Sequence, residues 1–193
     1  TDRLRQLLFG NGDVHAVRIF IDDDGDHFGR RHGVDHELRR ILVERNDVHT
    51  LAADLVGDKG RVIASDILPI DFIAGVEFLQ GDFTEQAVLD QLLGMLPEGG
   101  ADLVMSDMAP NMSGMRDIDQ PRMMYLAELA LDLARSVLRP GAYFLVKVFH
   151  GEGLREFEAQ LKADFASIKV RKPKASRARS SEVYLLAAGF KGA

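Results

Sequence analysis

The sequence predicts one α/β domain over residues 1–193, built on a mostly parallel sheet with helices on both faces. From Lys59 onward, short β-branched runs alternate with longer stretches of helical periodicity, which is the pattern of a parallel sheet joined by crossover helices. A chain of 193 residues is long enough for one domain with a core and too short for two domains of ordinary size. Its apolar fraction of 46% is typical of a globular protein. We therefore expect a single globular α/β domain.

Composition excludes several classes of protein. The chain has no cysteine, which excludes a disulfide scaffold, a thiolate zinc site, an iron–sulfur cluster and a cysteine nucleophile. No apolar run approaches the roughly 20 residues that span a bilayer, and the first residues lack the pattern of a signal peptide. Five of the six histidines lie in residues 1–58 without a consistent metal-ligand spacing. We expect a cytoplasmic protein with no membrane segment and no metal.

The elements follow from periodicity and from breakers between the runs. Apolar residues at helical spacing predict three helices, and the first two stop at proline and glycine after residues 96 and 138. The predicted helices are residues 84–96, 122–138 and 153–164. The predicted strands are residues 61–65, 76–80, 102–106, 143–149, 167–170 and 182–187. Upstream, residues 14–21 could form a strand and residues 34–44 a helix, although neither has firm flanking signals.

Three predicted strands run into an aspartate: Asp66, Asp82 and Asp107. Ligands of open α/β sheets bind beyond the carboxyl ends of the strands, where acids commonly hold ribose hydroxyls or a cationic group. An aspartate at a strand end is also a common turn former or helix cap. Both interpretations are open from the residues alone.

Lys147 is unusual because it interrupts a strand that is otherwise apolar, residues 144–149. Burying an ammonium is unfavourable unless it is paired or loses its proton, which favours a functional role. The alternative is a lysine on an edge strand whose amine reaches solvent. Glu182 is similar, since it opens the last predicted strand after a basic stretch.

That basic stretch carries a local charge of +5 in a chain whose net charge is −6. Residues 155–181 contain eight basic and three acidic side chains, and 8 − 3 gives +5. Side chains of this kind could neutralise the phosphates of a polyanion. A solvated charged loop is the alternative interpretation.

These features together resemble the FtsJ/RlmE family of 23S ribosomal RNA (uridine-2′-O)-methyltransferases. The most specific stretch is SDMAPNMSG at residues 106–114. The resemblance extends from about residue 51 to residue 193, in the family's order and spacing. The other matching stretches are residues 60–69, 75–83, 119–122, 144–149, 151–153, 170–173, 176–180 and 182–184.

The resemblance implies a Rossmann-like fold, S-adenosyl-L-methionine as cofactor, and 23S ribosomal RNA within the large ribosomal subunit as partner of a monomeric enzyme. By position, Asp66 and Asp82 match acids that hold the ribose and adenine ends of the cofactor. Asp107 matches the acid near the sulfonium and methionine part, and it belongs to a Lys-Asp-Lys-Glu catalytic set. In that set Lys147 matches the catalytic lysine and Glu182 the final glutamate.

Residues 1–50 do not resemble the family, whereas residues 51–193 do. The family's glycine-rich cofactor loop falls on residues 41–47, which contain no glycine, and its first catalytic lysine falls near Ile21. No lysine precedes Lys59. Either this segment replaces the family's N-terminal helix, first strand and loop, or it is a non-native reading of the gene, such as a frame disruption or a sequence error. The abrupt change in lysine and histidine usage favours the second explanation. The alternative function is a catalytically silent RNA- or ribosome-binding protein.

Overall fold

A computed structural model describes residues 17–22, 60–172 and 181–192 of the chain. Within this part, seven strands and three helices alternate along the sequence. The strands β1 to β7 are Val17–Asp22, Gly60–Asp66, Val76–Gln80, Ala101–Ser106, Leu138–Phe149, Phe165–Arg171 and Glu182–Phe190. The helices α1 to α3 are Gln86–Gly94, Arg116–Val137 and Leu154–Asp164.

All seven strands join one sheet in the order β3-β2-β1-β4-β5-β7-β6. The pairs β2–β3 and β4–β5 are parallel, and the pairs that involve β1 or β7 are antiparallel. Five of these seven strands therefore point the same way, and β1 and β7 run against them. The predicted α/β fold with a mostly parallel sheet is confirmed, although the three helices of the described residues lie on one face of the sheet and not on both as predicted.

The central strand β1 runs against both of its neighbours. Its first residue, Val17, pairs with Ser65 of β2 and Ser106 of β4, near the carboxyl ends of those strands. Its last residue, Asp22, pairs with Gly60 at the start of β2. The carboxyl end of β1 therefore lies at the edge of the sheet opposite to the carboxyl ends of its neighbours. The helix predicted at residues 34–44 lies outside the described residues.

The three helices pack on one face of the sheet. Alternate strand residues such as Ile63, Val104, Phe144 and Leu185 form a single buried apolar cluster with side chains of α1, α2 and α3. Each helix connects two parallel strands, and all three connections move across the sheet in the same direction. Because such connections are right-handed, their helices lie on the same face of the sheet. Side chains on the opposite face are buried as well, among them Leu145.

Two elements start five or more residues earlier than their sequence pattern predicts. Helix α2 begins at Arg116 instead of residue 122, because Asp117 and Asp119 suit the positive end of the helix dipole although the first turn lacks apolar periodicity. Strand β5 begins at Leu138 instead of residue 143. Its pairing with β4 shifts register between Ala101 and Leu103, which accommodates the proline and glycine that predicted a break.

Candidate active site

The five predicted site residues lie at or near one edge of the sheet. Asp66 is the last residue of β2, Asp82 comes two residues after β3, and Asp107 directly follows β4. Strand β7 is antiparallel to β5, and its first residue, Glu182, pairs with Phe149 at the end of β5. Lys147 lies two residues before that end. The topology thus brings together residues separated by more than a hundred positions in the chain.

Asp66, Lys147 and Glu182 share the face of the sheet that is opposite to the three helices. Val146 and Val148 belong to the helix-covered core, so the alternation of side chains turns Lys147 to the other face. The register pairs Lys147 with Tyr184, and Glu182 has the same parity as Tyr184 along β7. Ile63 faces the helices, which places Asp66, three residues further, on the other face.

Lys147 is a buried lysine in contact with the Asp107 segment. Only 9% of its surface is exposed, and its neighbours Val146 and Val148 are fully buried. Its Nζ donates a hydrogen bond to the main-chain carbonyl oxygen of Asp107. The amine therefore lies at the start of the loop that follows β4, within reach of whatever ligand occupies this edge.

Asp66 and Asp82 both stabilise the turns in which they lie. Asp66 Oδ1 accepts a hydrogen bond from the backbone N–H of Leu68 at 2.9 Å. Asp82 Oδ1 accepts two from Thr84, one from the backbone N–H at 2.9 Å and one from Oγ1 at 2.7 Å. The turn-forming interpretation of these acids is therefore correct. It does not exclude ligand binding, because a carboxylate has two oxygens and about four acceptor sites.

The loop after Asp107 is anchored by a residue to which the sequence assigned no role. The Asp119 carboxylate accepts hydrogen bonds from the Ser113 backbone N–H and Oγ, both at 2.8 Å, and from the Gly114 N–H at 3.1 Å. The bond from the Ser113 N–H is the main cause that lowers the pKa of Asp119 below its usual value of 3.8. An ionised Asp119 thus holds the far end of this loop on the first turns of α2.

Basic side chains continue the site across the sheet. Arg171 of β6 pairs with Tyr184, which pairs with Lys147, so these three residues form one cross-strand row on one face. Strand spacing places the ends of this row about 10 Å apart. Lys169 has the same parity as Arg171 and is exposed, as is Lys172 beyond the strand end. Residues 173–180 of the basic stretch lie outside the described residues.

Tyr184 is the second residue that sequence reasoning missed as part of the site. Tyr184 ends a stretch that matches the family, and the motif gives it no role. The alternation of side chains along β7 places it on the same face of the sheet as Glu182. It is buried between the rows of β5 and β6. The signal that could have identified it is this parity, once β7 is recognised as a strand.

The described residues also contain a pocket beside the turn that follows β5. A pocket of about 290 Å³ is lined by residues such as Gln120, Tyr125 and Glu152, and by none of the five predicted site residues, so we do not assign the cofactor to it.

In the part of the chain that the structure describes, no cluster of three or more histidine, cysteine or acidic residues could hold a metal ion. None of its helices is long and apolar enough to cross a membrane.

Comparison with known sequences gives a consistent set of relatives. A protein-family model described as FtsJ-like methyltransferase matches residues 42–190, beginning nine residues before the boundary predicted from the motifs. Ribosomal RNA large subunit methyltransferase E of Chromohalobacter salexigens is 64% identical over 142 residues, covering 74% of this chain and 68% of the relative. The protein of the same name from Alkalilimnicola ehrlichii is 60% identical over 140 residues, covering 72% and 67%.

Solved structures resemble the fold at lower identity. A protein of Plasmodium falciparum described as a ribosomal RNA methyltransferase superimposes with a TM-score of 0.60 at 24% identity, covering 68% of this chain and 72% of that one. A Clostridium thermocellum protein described as an rRNA methylase gives a TM-score of 0.50 at 18% identity, covering 77% and 85%. At these identities the likeness concerns the fold alone.

Proposed function

Because the chain belongs to the FtsJ-like methyltransferase family, we propose that it methylates the ribose 2′-hydroxyl of a uridine in 23S ribosomal RNA of the large ribosomal subunit. The name shared by its relatives supports the ribosomal RNA substrate. The observation that carries the proposal is the buried Lys147 amine beside the Asp107 segment, at the carboxyl edge of the sheet. We further propose that residues 1–193 act as one cytoplasmic, monomeric domain.

The acids at this edge fit S-adenosylmethionine as the cofactor. Carboxylates at the ends of β2 and β3 are suited to ribose hydroxyls and an adenine amino group, the roles proposed for Asp66 and Asp82. Asp107 lies beyond the next parallel strand and is suited to the cationic methionine part. When bound, the cofactor supplies the methyl group as an electrophile.

Lys147 is the proposed base. A 2′-hydroxyl is a poor nucleophile, and it becomes a better one when its proton passes to a nearby acceptor. A lysine can accept that proton only in its neutral form, which burial in an apolar strand favours. Asp107 directly follows β4 and Glu182 begins β7, the two neighbours of β5, where they would orient the amine and the ribose. Most of the acceleration then comes from holding the oxygen against the methyl carbon.

The basic row beside the site is the proposed contact for RNA phosphates. Arg171 lies level with Lys147 two strands away, and Lys172 follows it at the same edge. A phosphate next to the methylated ribose would therefore meet guanidinium and ammonium groups on the side of β6. The local positive charge of this segment would favour RNA binding at this surface of an otherwise acidic chain.

Two observations favour the alternative, a catalytically silent RNA- or ribosome-binding protein. Residues 41–47 contain no glycine where the family's cofactor loop falls. The central strand β1 runs in reverse, so its carboxyl end does not reach the edge that carries Asp66 and Asp107. A glycine-rich turn at the end of the first strand normally lets the backbone approach the ligand of a Rossmann-like fold.

Calorimetric titration with S-adenosylmethionine separates the two functions. The enzyme proposal predicts saturable binding that weakens at least about tenfold in Asp66→Asn, a loss of about 1.4 kcal/mol. Asparagine keeps one oxygen as acceptor for the Leu68 N–H and replaces the other carboxylate oxygen, with the negative charge, by an NH2 donor. Asp90→Asn, at an exposed position of α1, is the control and should bind as the wild type does. Absence of binding by the wild-type chain would favour the silent protein.

The proposed RNA contact is tested by measuring how the affinity of the chain for single-stranded RNA depends on salt concentration. Charge reversal of Arg171 and Lys172 together should reduce the slope of log K against log salt by about 1.4, or about 0.7 for each lost phosphate contact on single-stranded RNA. Lys162→Glu, at an exposed position of α3, is the control for a charge change away from the site. An unchanged slope in the double variant would contradict the contact.

A further inference from the structure

Two consecutive polar residues are buried where helix α2 begins. Asp119 and Gln120 are 3% and 7% exposed, whereas the preceding residues 111–118 and the following two residues are exposed. Polar side chains are seldom buried unless their hydrogen bonds are made inside the protein. Asp119 makes its bonds to Ser113 and Gly114, as described above. Gln120 uses a different set.

Gln120 bridges both ends of the turn that follows β5. Its Nε2 donates to the carbonyl oxygen of Phe149 at 3.2 Å and to that of Glu152 at 2.9 Å. An amide nitrogen has two hydrogens, so this arrangement uses both donors. The side chain therefore fixes the distance between the last residue of β5 and the residue three positions later.

This turn adjoins the two strand ends that carry proposed catalytic residues, Lys147 on β5 and Glu182 on β7. Phe149 is two residues beyond Lys147 and pairs with Glu182 across the strands. Within the turn, the backbone N–H of His150 donates to the carbonyl oxygen of Ser181, the residue before Glu182, at 2.8 Å. The end of β5, the turn and the start of β7 are thus linked to α2 through one side chain.

Gly151 at the tip of the turn packs directly on the Gln120 amide. A Cβ atom at this glycine would lie 2.5 Å from Gln120 Cδ and 2.6 Å from Oε1, closer than van der Waals contact allows. A larger residue here would have to displace the Gln120 amide from its two hydrogen bonds. The turn is closed over the amide with no room for a methyl group.

We propose that Gln120 is a positioning residue, whose side-chain amide fixes the turn that joins the end of β5, which carries Lys147, to the start of β7, which carries Glu182. Asp119, the preceding residue, does the same for the loop that begins at Asp107, so one turn of α2 holds both loops of the site. The inference rests on the proposed function, because Lys147 and Glu182 are taken as its catalytic pair. Gln120 itself contacts only main-chain carbonyl groups and the turn.

The first test replaces the amide by a carboxylate of the same shape. Gln120→Glu removes both donors and places negative charge against two carbonyl oxygens. We expect kcat for methyl transfer to ribosomal RNA to fall about 10- to 100-fold, with KM for RNA changed less than about threefold, because misplaced groups impair the reaction more than binding. Gln91→Glu, an exposed glutamine of α1, carries the same charge change and should leave both parameters unaltered.

Hydrogen exchange gives a readout that needs no activity. In Gln120→Glu, the amide of His150 and its neighbours should exchange at least about tenfold faster than in the wild type, while α3 stays unaffected. If the wild type transfers no methyl group, the proposed function fails, and the exchange measurement still decides whether Gln120 fixes the turn. Exchange and kcat both within about twofold of the wild type would overturn the proposal.

A double-mutant cycle covers the case in which Gln120→Glu does not fold. Gly151→Ala should lower kcat in the wild-type background because its methyl displaces the amide. In a Gln120→Ala background the same change meets open space, so its further effect should be less than about threefold. Additive effects of the two substitutions would overturn the proposal, and the expected non-additivity would support it.

Discussion

Replacing Lys147 with methionine tests whether this buried lysine serves catalysis or structure. Methionine has a similar length and suits a strand position between Val146 and Val148, which are fully buried. Loss of a positioned base costs about 10²- to 10⁴-fold in rate. At about 1.4 kcal/mol per tenfold, this corresponds to about 3–5 kcal/mol of transition-state stabilisation.

The same substitution should have a small effect on stability. It removes the hydrogen bond from Nζ to the Asp107 carbonyl, which costs about 1–3 kcal/mol if that oxygen is left unsatisfied. It also removes the cost of burying a lysine, which arises either from desolvating the ammonium or from releasing its proton, and this acts in the opposite direction. We expect the free energy of unfolding to change by less than about 2 kcal/mol, or the Tm by less than about 8 °C for a chain of this size.

The assay is transfer of a tritiated methyl group to ribosomes that lack the modification, with thermal unfolding measured on the same preparations. Lys162→Met, at an exposed lysine of α3, is the matched control and should retain wild-type rate and Tm. A Lys147→Met rate within about threefold of the wild type would refute the assignment of the base. If Lys147→Met loses activity only because it no longer folds, the separation of catalysis from stability is refuted.

Two further predictions concern the loop anchor and the core. Asp119→Asn should lower the Tm at pH 7, and the deficit should shrink as pH falls below 3.8 and disappear below the depressed pKa of Asp119. The pKa of Asp119 is depressed on folding, so its contribution is present above 3.8 and is lost as pH falls through the depressed value; a deficit that grows in acid would contradict this assignment. Phe144→Ala should lower the free energy of unfolding by about 3–5 kcal/mol, because this ring is fully buried and stacks on Phe165 at 6.2 Å. Phe72→Ala, at a ring that is 92% exposed, should change it by less than about 0.5 kcal/mol, and equal losses in the two variants would contradict the described core.

The sequence predicts the strands and the apolar, buried parts of the helices well, because both depend on local apolar periodicity. Residues 76–80 form a strand with the predicted bounds, and all three predicted helices are present. The start of α2 is not predictable from periodicity, since Asp119 and Gln120 are buried for hydrogen bonding and not for their hydrophobicity. The reversed direction of β1 is also beyond local pattern, because pairing partners are set by the whole sheet.

The sequence predicted where the candidate residues lie relative to the strands, and it did not predict the contacts among them. Asp66, Asp107 and Lys147 were identifiable because charged residues at strand ends, or inside an apolar strand, conflict with burial. The link from Gln120 to the turn before α3 depends on two carbonyl groups 29 and 32 residues away. Main-chain groups have no sequence signature, so only the folded structure reveals this contact.

Nucleoside analysis of the methylated product tests the central proposal most directly. The purified chain is incubated with S-adenosylmethionine and large ribosomal subunits that lack the modification, and their RNA is digested and analysed by mass spectrometry. We predict one 2′-O-methyluridine per subunit with the wild type, and at least about 10²-fold slower formation with Lys147→Met. Absence of a methylated nucleoside with the wild type, or methylation of a base instead of the ribose, would contradict the account.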